Sequence, residues 1–145
     1  MKYLLLIPLL ALTACSAPIT KDSIRLDPVY TKTVSVDKPY QIVFADLLKK
    51  SRACYLDQPF KKQLTLVGNR DNSKKTANIT LEYVYAMAEH DVIMMVDITS
   101  VEKNKTQVNV YTSDKSYKPK VDRVGEWATS AAIDALCVED KDWFG

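Results

Sequence analysis

Apolar side chains recur along this chain with two different periods, and the change from one to the other predicts its elements. Ile79, Leu81, Tyr83, Tyr85 and Met87 alternate with Asn78, Thr80, Glu82, Val84 and Ala86, the period of a strand with one buried face. Val92 to Val101 continues the pattern, with Val92, Met94, Val96 and Ile98 on one side. Thr31 to Val36 is rich in β-branched residues and alternates as well, which predicts a further strand. Leu64, Leu66 and Val67 form a shorter run, and Gly68-Asn69-Arg70-Asp71-Asn72-Ser73 behind them has the composition of a loop. Glu102 to Lys105 reads as a tight turn before Val108 and Val110. Connections this short predict an antiparallel meander, because parallel neighbours need long crossovers.

Two stretches carry the helical period instead. Tyr40, Val43, Phe44, Leu47 and Leu48 make one apolar stripe behind Pro39, whose missing N–H suits a helix start. A helix is therefore expected over Pro39 to Arg52, with Lys49, Lys50 and Arg52 solvated at its C-terminal end, where cations suit the helix dipole. A second helix is expected from about Asp122, taken as its N-cap, with Val124, Trp127, Ala128, Ala131, Ala135 and Val138 along one side. The order is β-α-β-β-β-β-α. The simplest burial is an α+β domain in which an antiparallel four- to five-stranded sheet carries both helices on one face.

The N-terminus follows a different logic. Met1-Lys2 is followed by an almost unbroken apolar run from Tyr3 to Leu12, about half the roughly 20 residues that a membrane-spanning helix needs. A short apolar run behind a positive charge and ahead of small residues is the pattern of a cleaved signal. Leu12-Thr13-Ala14-Cys15 resembles the lipobox of bacterial lipoproteins. The resemblance implies that Cys15 is acylated, that residues 1–14 are removed, and that two or three acyl chains hold the protein stably at a bilayer. It also implies a bacterial envelope address. Ser16 rather than Asp after the cysteine corresponds to the outer membrane, facing the periplasm, in a Gram-negative cell; in a Gram-positive cell the same signal corresponds to the outer face of the plasma membrane. The alternative is an ordinary secretory signal that happens to contain a cysteine. Ser16 to Pro28 holds two prolines and no clear period, so residues 15–29 are expected as the lipidated cysteine and a flexible tether, and 30–145 as one domain.

With Cys15 assigned to the lipid, Cys54 and Cys137 remain. In an oxidising compartment an even remainder of two predicts a disulfide, with two buried thiols as the alternative. Each cysteine falls just past a predicted helix, which suits a bond between helix ends. No Cys-x-x-Cys spacing is present for redox exchange.

Charge narrows the partners. Twenty Lys and Arg residues against 18 Asp and Glu give a net charge of +2, so no strong field favours nucleic acid. The lysine pairs at 49–50, 61–62 and 74–75 are scattered, although they offer weak attraction to anionic headgroups.

Candidate chemistry is sparse. His90, the sole histidine, lies in Glu89-His90-Asp91 between two predicted strands, where adjacent side chains point apart, and no second histidine completes a zinc site. Three glycines are too few for a phosphate-cradling loop. The serines have no nucleophile-elbow context. No catalytic residue, metal or cofactor is therefore assigned, and enzymatic activity is not expected.

Soft and aromatic side chains do concentrate on neighbouring strands, at Tyr83, Tyr85, Met87, Met94 and Met95. Core packing explains them. They also suit a greasy cleft between the sheet and the C-terminal helix, lined by Tyr83, Tyr85, Met94 and Trp127, that takes a lipid or another small hydrophobic ligand. Trp143-Phe144 at the chain end either folds back or marks a contact.

Two functions follow. One is a non-catalytic interaction or structural module, tied to the membrane through its lipid and docking on another envelope protein. The other is binding of a hydrophobic ligand. From about Tyr30 to Val138 the helix-plus-meander order is loosely similar to the helix-grip-like domains of some outer-membrane assembly lipoproteins, a likeness of architecture without a shared motif.

Overall fold

The computed structural model describes residues 18–56, 63–85 and 90–130. Five strands form one antiparallel sheet: β1 (Tyr30–Val36), β2 (Leu64–Asp71), β3 (Thr76–Val84), β4 (His90–Glu102) and β5 (Lys105–Thr112). Their spatial order is β1-β5-β4-β3-β2. The last four strands are the expected meander, and β1 closes its far edge, pairing Tyr30 with Thr112 and Val36 with Thr106. Among the described residues three helices accompany the sheet: α1 (Lys21–Leu26), α2 (Tyr40–Tyr55) and α3 (Lys118–Thr129). Because β1 and β2 lie at opposite edges, α2 must carry the chain across a whole face. It lies over β2, β3 and β4, while α3 lies beside it over β1 and β5. The α+β class and the two helices on one face agree with the pattern of apolar positions.

The core sits between those helices and the sheet. Tyr40, Val43 and Leu47 of α2 and Val121, Val124 and Trp127 of α3 meet Ile79, Leu81, Val96, Ile98, Val108 and Val110. All six sheet residues are at most 2 % exposed, so burial of their apolar area drives the assembly. Gly68 belongs to this packing and not to a loop. A Cβ at that position would approach Leu48 Cδ1 to 2.9 Å and Phe44 Cζ to 3.2 Å. The glycine lets α2 lie close on β2, and the strand continues through it to Asp71. The turn begins only there, where Asp71 Oδ1 accepts from the backbone of Ser73 and Lys74.

The start of α3 also departs from expectation. It begins at Lys118, with Pro119 in the first turn, four residues before Asp122. Asp122 is therefore inside the helix, and its carboxylate works sideways. Its Oδ1 accepts from the Tyr30 hydroxyl at 2.9 Å and from Lys32 Nζ at 3.3 Å, and its Oδ2 from Lys118 Nζ at 3.1 Å. Partial burial pushes this carboxyl's pKa up, but the bonds from Tyr30, Lys118 and Lys32 outweigh it and leave the pKa below the ordinary aspartate value.

Lys50 was expected in water at the end of α2. It is 5 % exposed. Its ammonium donates to the Trp127 and Ser130 carbonyls, both at 3.0 Å, and so satisfies acceptors that the end of α3 leaves without intrahelical partners. Cys54, four residues on, lies in the last turn of α2 and not beyond it.

The largest departure concerns the segment before β1, expected as part of a flexible tether. From Ile19 onward it is held against the sheet, with Ile24 of α1 on the face opposite α2 and α3. Thr20 caps α1 and forms a reciprocal capping box with Ser23. Ile24, 1 % exposed, packs on Val92 and Met95. Arg25 grips Asp97 through two parallel bonds, Nε to Oδ2 and Nη2 to Oδ1, each 2.8 Å.

A bulge in β4 makes the place for Ile24. Leu81 pairs with Met94 but Glu82 pairs with Val92, so Ile93 is an extra residue on that strand. One inserted residue flips everything beyond it to the other face. Val92 was expected beside Met94, Val96 and Ile98; it instead joins Met95 under Ile24.

Two consequences are measurable. Ile24→Ala should release the strap while the sheet survives: exchange of the Ile24 and Asp27 amides, which bond Thr20 and Ser23 carbonyls, should speed at least about tenfold. Amides in the middle of β4 should keep their protection. For Lys50, burial lowers the pKa from 10.5. Between that lowered value and 10.5 the unfolded chain binds more protons than the native one, so this residue's contribution to stability rises with pH there. The neutral amine still has two N–H groups for the two carbonyls. The stability advantage of the wild type over Lys50→Met, measured by urea unfolding, should therefore be larger at pH 10 than at pH 7.

Candidate functional site

β5 leaves β4 after Thr112, while β4 still extends toward His90. The backbone groups left unpaired must find other partners. Thr112 Oγ1 donates to the Ile93 carbonyl at 2.9 Å and Ser113 Oγ to the Val92 carbonyl at 3.3 Å. Val92 N donates to the Ile19 carbonyl at 3.0 Å, and Ile19 N donates to Asp91 Oδ1, also at 3.0 Å. The N-terminal strap thus takes the place that β5 vacates.

A cleft opens at this junction, with a volume of about 420 Å³. Its walls come from four parts of the chain: Ile19 of the strap, Tyr83 in β3 and Tyr85 just past it, Asp91 to Ile93 at the bulge, and Ser113, Asp114 and Tyr117 beyond β5. Residues 115–117 form a 3₁₀ turn capped by Asp114, whose Oδ1 accepts from Ser116 N at 2.8 Å. The turn gives Tyr117 its position opposite the β3 tyrosines.

Aromatic rings and carboxylates dominate the chemistry. The Tyr83 and Tyr85 rings lie 4.8 Å apart at 57°, an angled aromatic corner. Tyr85 is 48 % exposed, a large apolar side chain left in water beside a concavity. Its hydroxyl pKa is raised, first by a hydrogen bond to Asp91 and then by burial and the Asp91 charge. The Tyr117 pKa is raised by burial, then by Asp114 and Tyr83. Both hydroxyls therefore stay protonated at neutral pH, and the charge of the cleft is that of Asp91 and Asp114.

The four residues expected to line an apolar cleft divide between two places. Tyr83 and Tyr85 reach the cleft. Met94, 3 % exposed, and Trp127, 1 % exposed, lie in the core between sheet and helices. The opening is thus at the end of the sheet and not between the sheet and the C-terminal helix. Ile19, Asp91, Ser113, Asp114 and Tyr117 were not anticipated. A signal existed for the last two, since Asp114 followed by Ser116 and then Lys118-Pro119 has the form of a capped turn leading into a helix.

His90 and Asp91, adjacent in sequence, indeed diverge. His90 Nδ1 lies 3.2 Å from Glu82 Oε2, and Lys21 Nζ lies 3.5 Å from Glu82 Oε1, which ties α1 to β3. Among the described residues no cluster of three or more His, Cys, Asp or Glu side chains is arranged to hold a metal ion. No described helix is long and apolar enough to cross a membrane. Cys15, Cys137, Met87 and Trp143-Phe144 lie outside the described residues. Cys54 is disulfide-bonded. No protein-family model and no curated protein matches this chain.

Proposed function

We propose that this chain is a lipid-anchored protein of the bacterial envelope, acting without catalysis as an interaction module whose contact surface is the tyrosine cleft. The observation that carries the reading is the closeness of the cleft to the anchor. Ile19 forms part of the cleft wall and follows Cys15 by four residues. Four residues reach at most about 14 Å. With Cys15 acylated, the cleft stays at the bilayer surface whatever the rest of the domain does. In a Gram-negative cell, Ser16 after the cysteine supports the outer membrane as that surface, on its periplasmic side. Partners are then restricted to molecules met there: another envelope protein, or the bilayer itself. The filled interface around Met94 and Trp127 argues against a lipid pocket between the sheet and α3.

The reading makes the bond at Cys54 part of the same design. With Cys15 carrying the lipid, Cys137 is the one cysteine left to pair with it. The pair encloses more than eighty residues. On the chain-entropy model a loop of that size stabilises by about 4–5 kcal/mol before native strain is subtracted.

Two experiments test this. In cells supplied with labelled palmitate the protein should carry label and sediment with membranes, and Cys15→Ser should lose the label; unchanged labelling of that variant would sink the anchor. Alkylation of the unreduced protein should modify neither Cys54 nor Cys137, whereas reaction at both refutes their pairing.

A further inference from the structure

The charge and shape of the cleft say which molecule at the bilayer surface it suits, an argument that rests on the membrane-anchored reading above. Asp91 and Asp114 both line it, and each spends Oδ1 on a backbone N–H, of Ile19 and Ser116 respectively. Neither has a Lys, Arg or His nitrogen within 4.0 Å among the described residues. Two carboxylates with no counter-cation among the described residues, set beside three tyrosine rings, form a site for a cation with some apolar surface. The chain itself shows the same chemistry nearby. Lys118 Nζ stands 4.8 Å from the Tyr30 ring centroid and Lys120 Nζ 4.7 Å from that of Tyr117. Through that contact Lys120 sets a positive charge beside Tyr117, at the edge of the acidic interior. A ligand with an ammonium a few ångströms from a phosphate matches that arrangement: the ammonium goes in toward the carboxylates and the phosphate stays at the lysine border.

We infer that the cleft binds the phosphoethanolamine headgroup of a zwitterionic phospholipid, with the ammonium between Asp91, Asp114 and the tyrosine rings. Location favours this source over a lysine side chain of a partner protein, because the strap holds Ile19 within about 14 Å of the acylated cysteine. Tyrosine is also suited to the interface, its ring meeting acyl chains and its hydroxyl meeting water. The intrinsic affinity need not be high. A site tethered to the surface that displays its ligand meets it at a large effective concentration. Headgroup binding would orient the domain, whereas acyl chains alone only hold it.

The test is a titration of the mature, lipidated, isotope-labelled protein in detergent micelles with O-phosphoethanolamine, read from amide chemical shifts. Saturable shifts are expected at Asp91, Ser113 and Asp114. Asp91→Asn combined with Asp114→Asn keeps the Oδ1 acceptors for Ile19 and Ser116 but removes the charge, and should raise the dissociation constant at least tenfold. Tyr85→Leu, at a half-exposed position that the core does not need, should raise it several-fold. Glycerol 3-phosphate, which lacks the ammonium, should produce no saturable shift. The inference is overturned if phosphoethanolamine produces no shift, if glycerol 3-phosphate matches it, or if the double variant binds unchanged. Tighter binding of the peptide Gly-Lys-Gly would overturn it in favour of a protein partner. The palmitate experiment decides the anchor separately: a chain that binds phosphoethanolamine without being acylated refutes the membrane address and supports the chemistry of the cleft.

Discussion

A strand with one residue more than its neighbour must turn part of itself over, and in β4 that residue is Ile93. With Val92 on the outer face, an apolar spot forms beside Met95, and Ile24 of α1 covers it. The same inversion leaves Asp91 lining the cleft, with one oxygen on the Ile19 amide. The strap, the carboxylate and the opening are therefore consequences of one irregularity. Remove Ile93 and the regular register would send Val92 back toward the core, leaving α1 without a seat and the cleft without one of its charges.

The helical side of the sheet is held by a different kind of constraint. Lys50 and Asp122 are turned toward the neighbouring elements there, and each has partners on them. Lys50 closes the end of α3 on the Trp127 and Ser130 carbonyls, and Asp122 draws the start of α3 onto β1 through Tyr30 and Lys32. Buried apolar area brings α2 and α3 to the sheet, but it is non-directional. These polar contacts set where along the sheet each helix stops. Lys32 shows how the two kinds combine: its stem runs across Gly125, where an added Cβ would meet Lys32 Cδ at 2.9 Å, while its ammonium reaches Asp122. A lysine is here both packing and clamp.

The pattern of apolar positions disclosed the class, the meander and both large helices because those features depend on burial with a fixed period. Ile79, Leu81, Val96, Ile98, Val108 and Val110 are all where alternation puts them. What it missed has non-periodic causes. A bulge adds one residue and leaves no mark in composition, so Val92 was assigned to the wrong face. Gly68 resembles a turn residue in sequence, and only the approach of Phe44 and Leu48 makes it a strand residue. A lysine at a helix end looks solvated until the partner helix supplies carbonyls. Six residues of α1 are too short for a stripe to be seen, and their one core residue, Ile24, is an isolated signal. The cleft was half legible for the same reason: Tyr83 and Tyr85 continue a periodic strand pattern, whereas Tyr117, Asp91 and Asp114 converge on them through a turn and a bulge.

The strap also changes what an N-terminal lipid can do for such a domain. A long flexible tether would let the domain sample every orientation above the membrane, and any weak site on it would spend most of its time facing water. Here the described chain is bound to the sheet from Ile19 onward, through the Val92 and Asp91 contacts and then through Ile24 and Arg25. With Cys15 acylated as proposed, the anchor would join the domain close to the rim of the cleft, because Ile19 follows it by four residues. Held this way, a site of low intrinsic affinity can act on a surface component because it is never far from it. The cost of holding it falls on one small apolar cluster and one bidentate ion pair. Arg25 and Asp97 are both partly exposed, so their pairing contributes modestly, and the seat under Ile24 carries most of the strap's stability. Under the proposed anchoring, position relative to the membrane would become a property of side-chain packing on the back of a sheet.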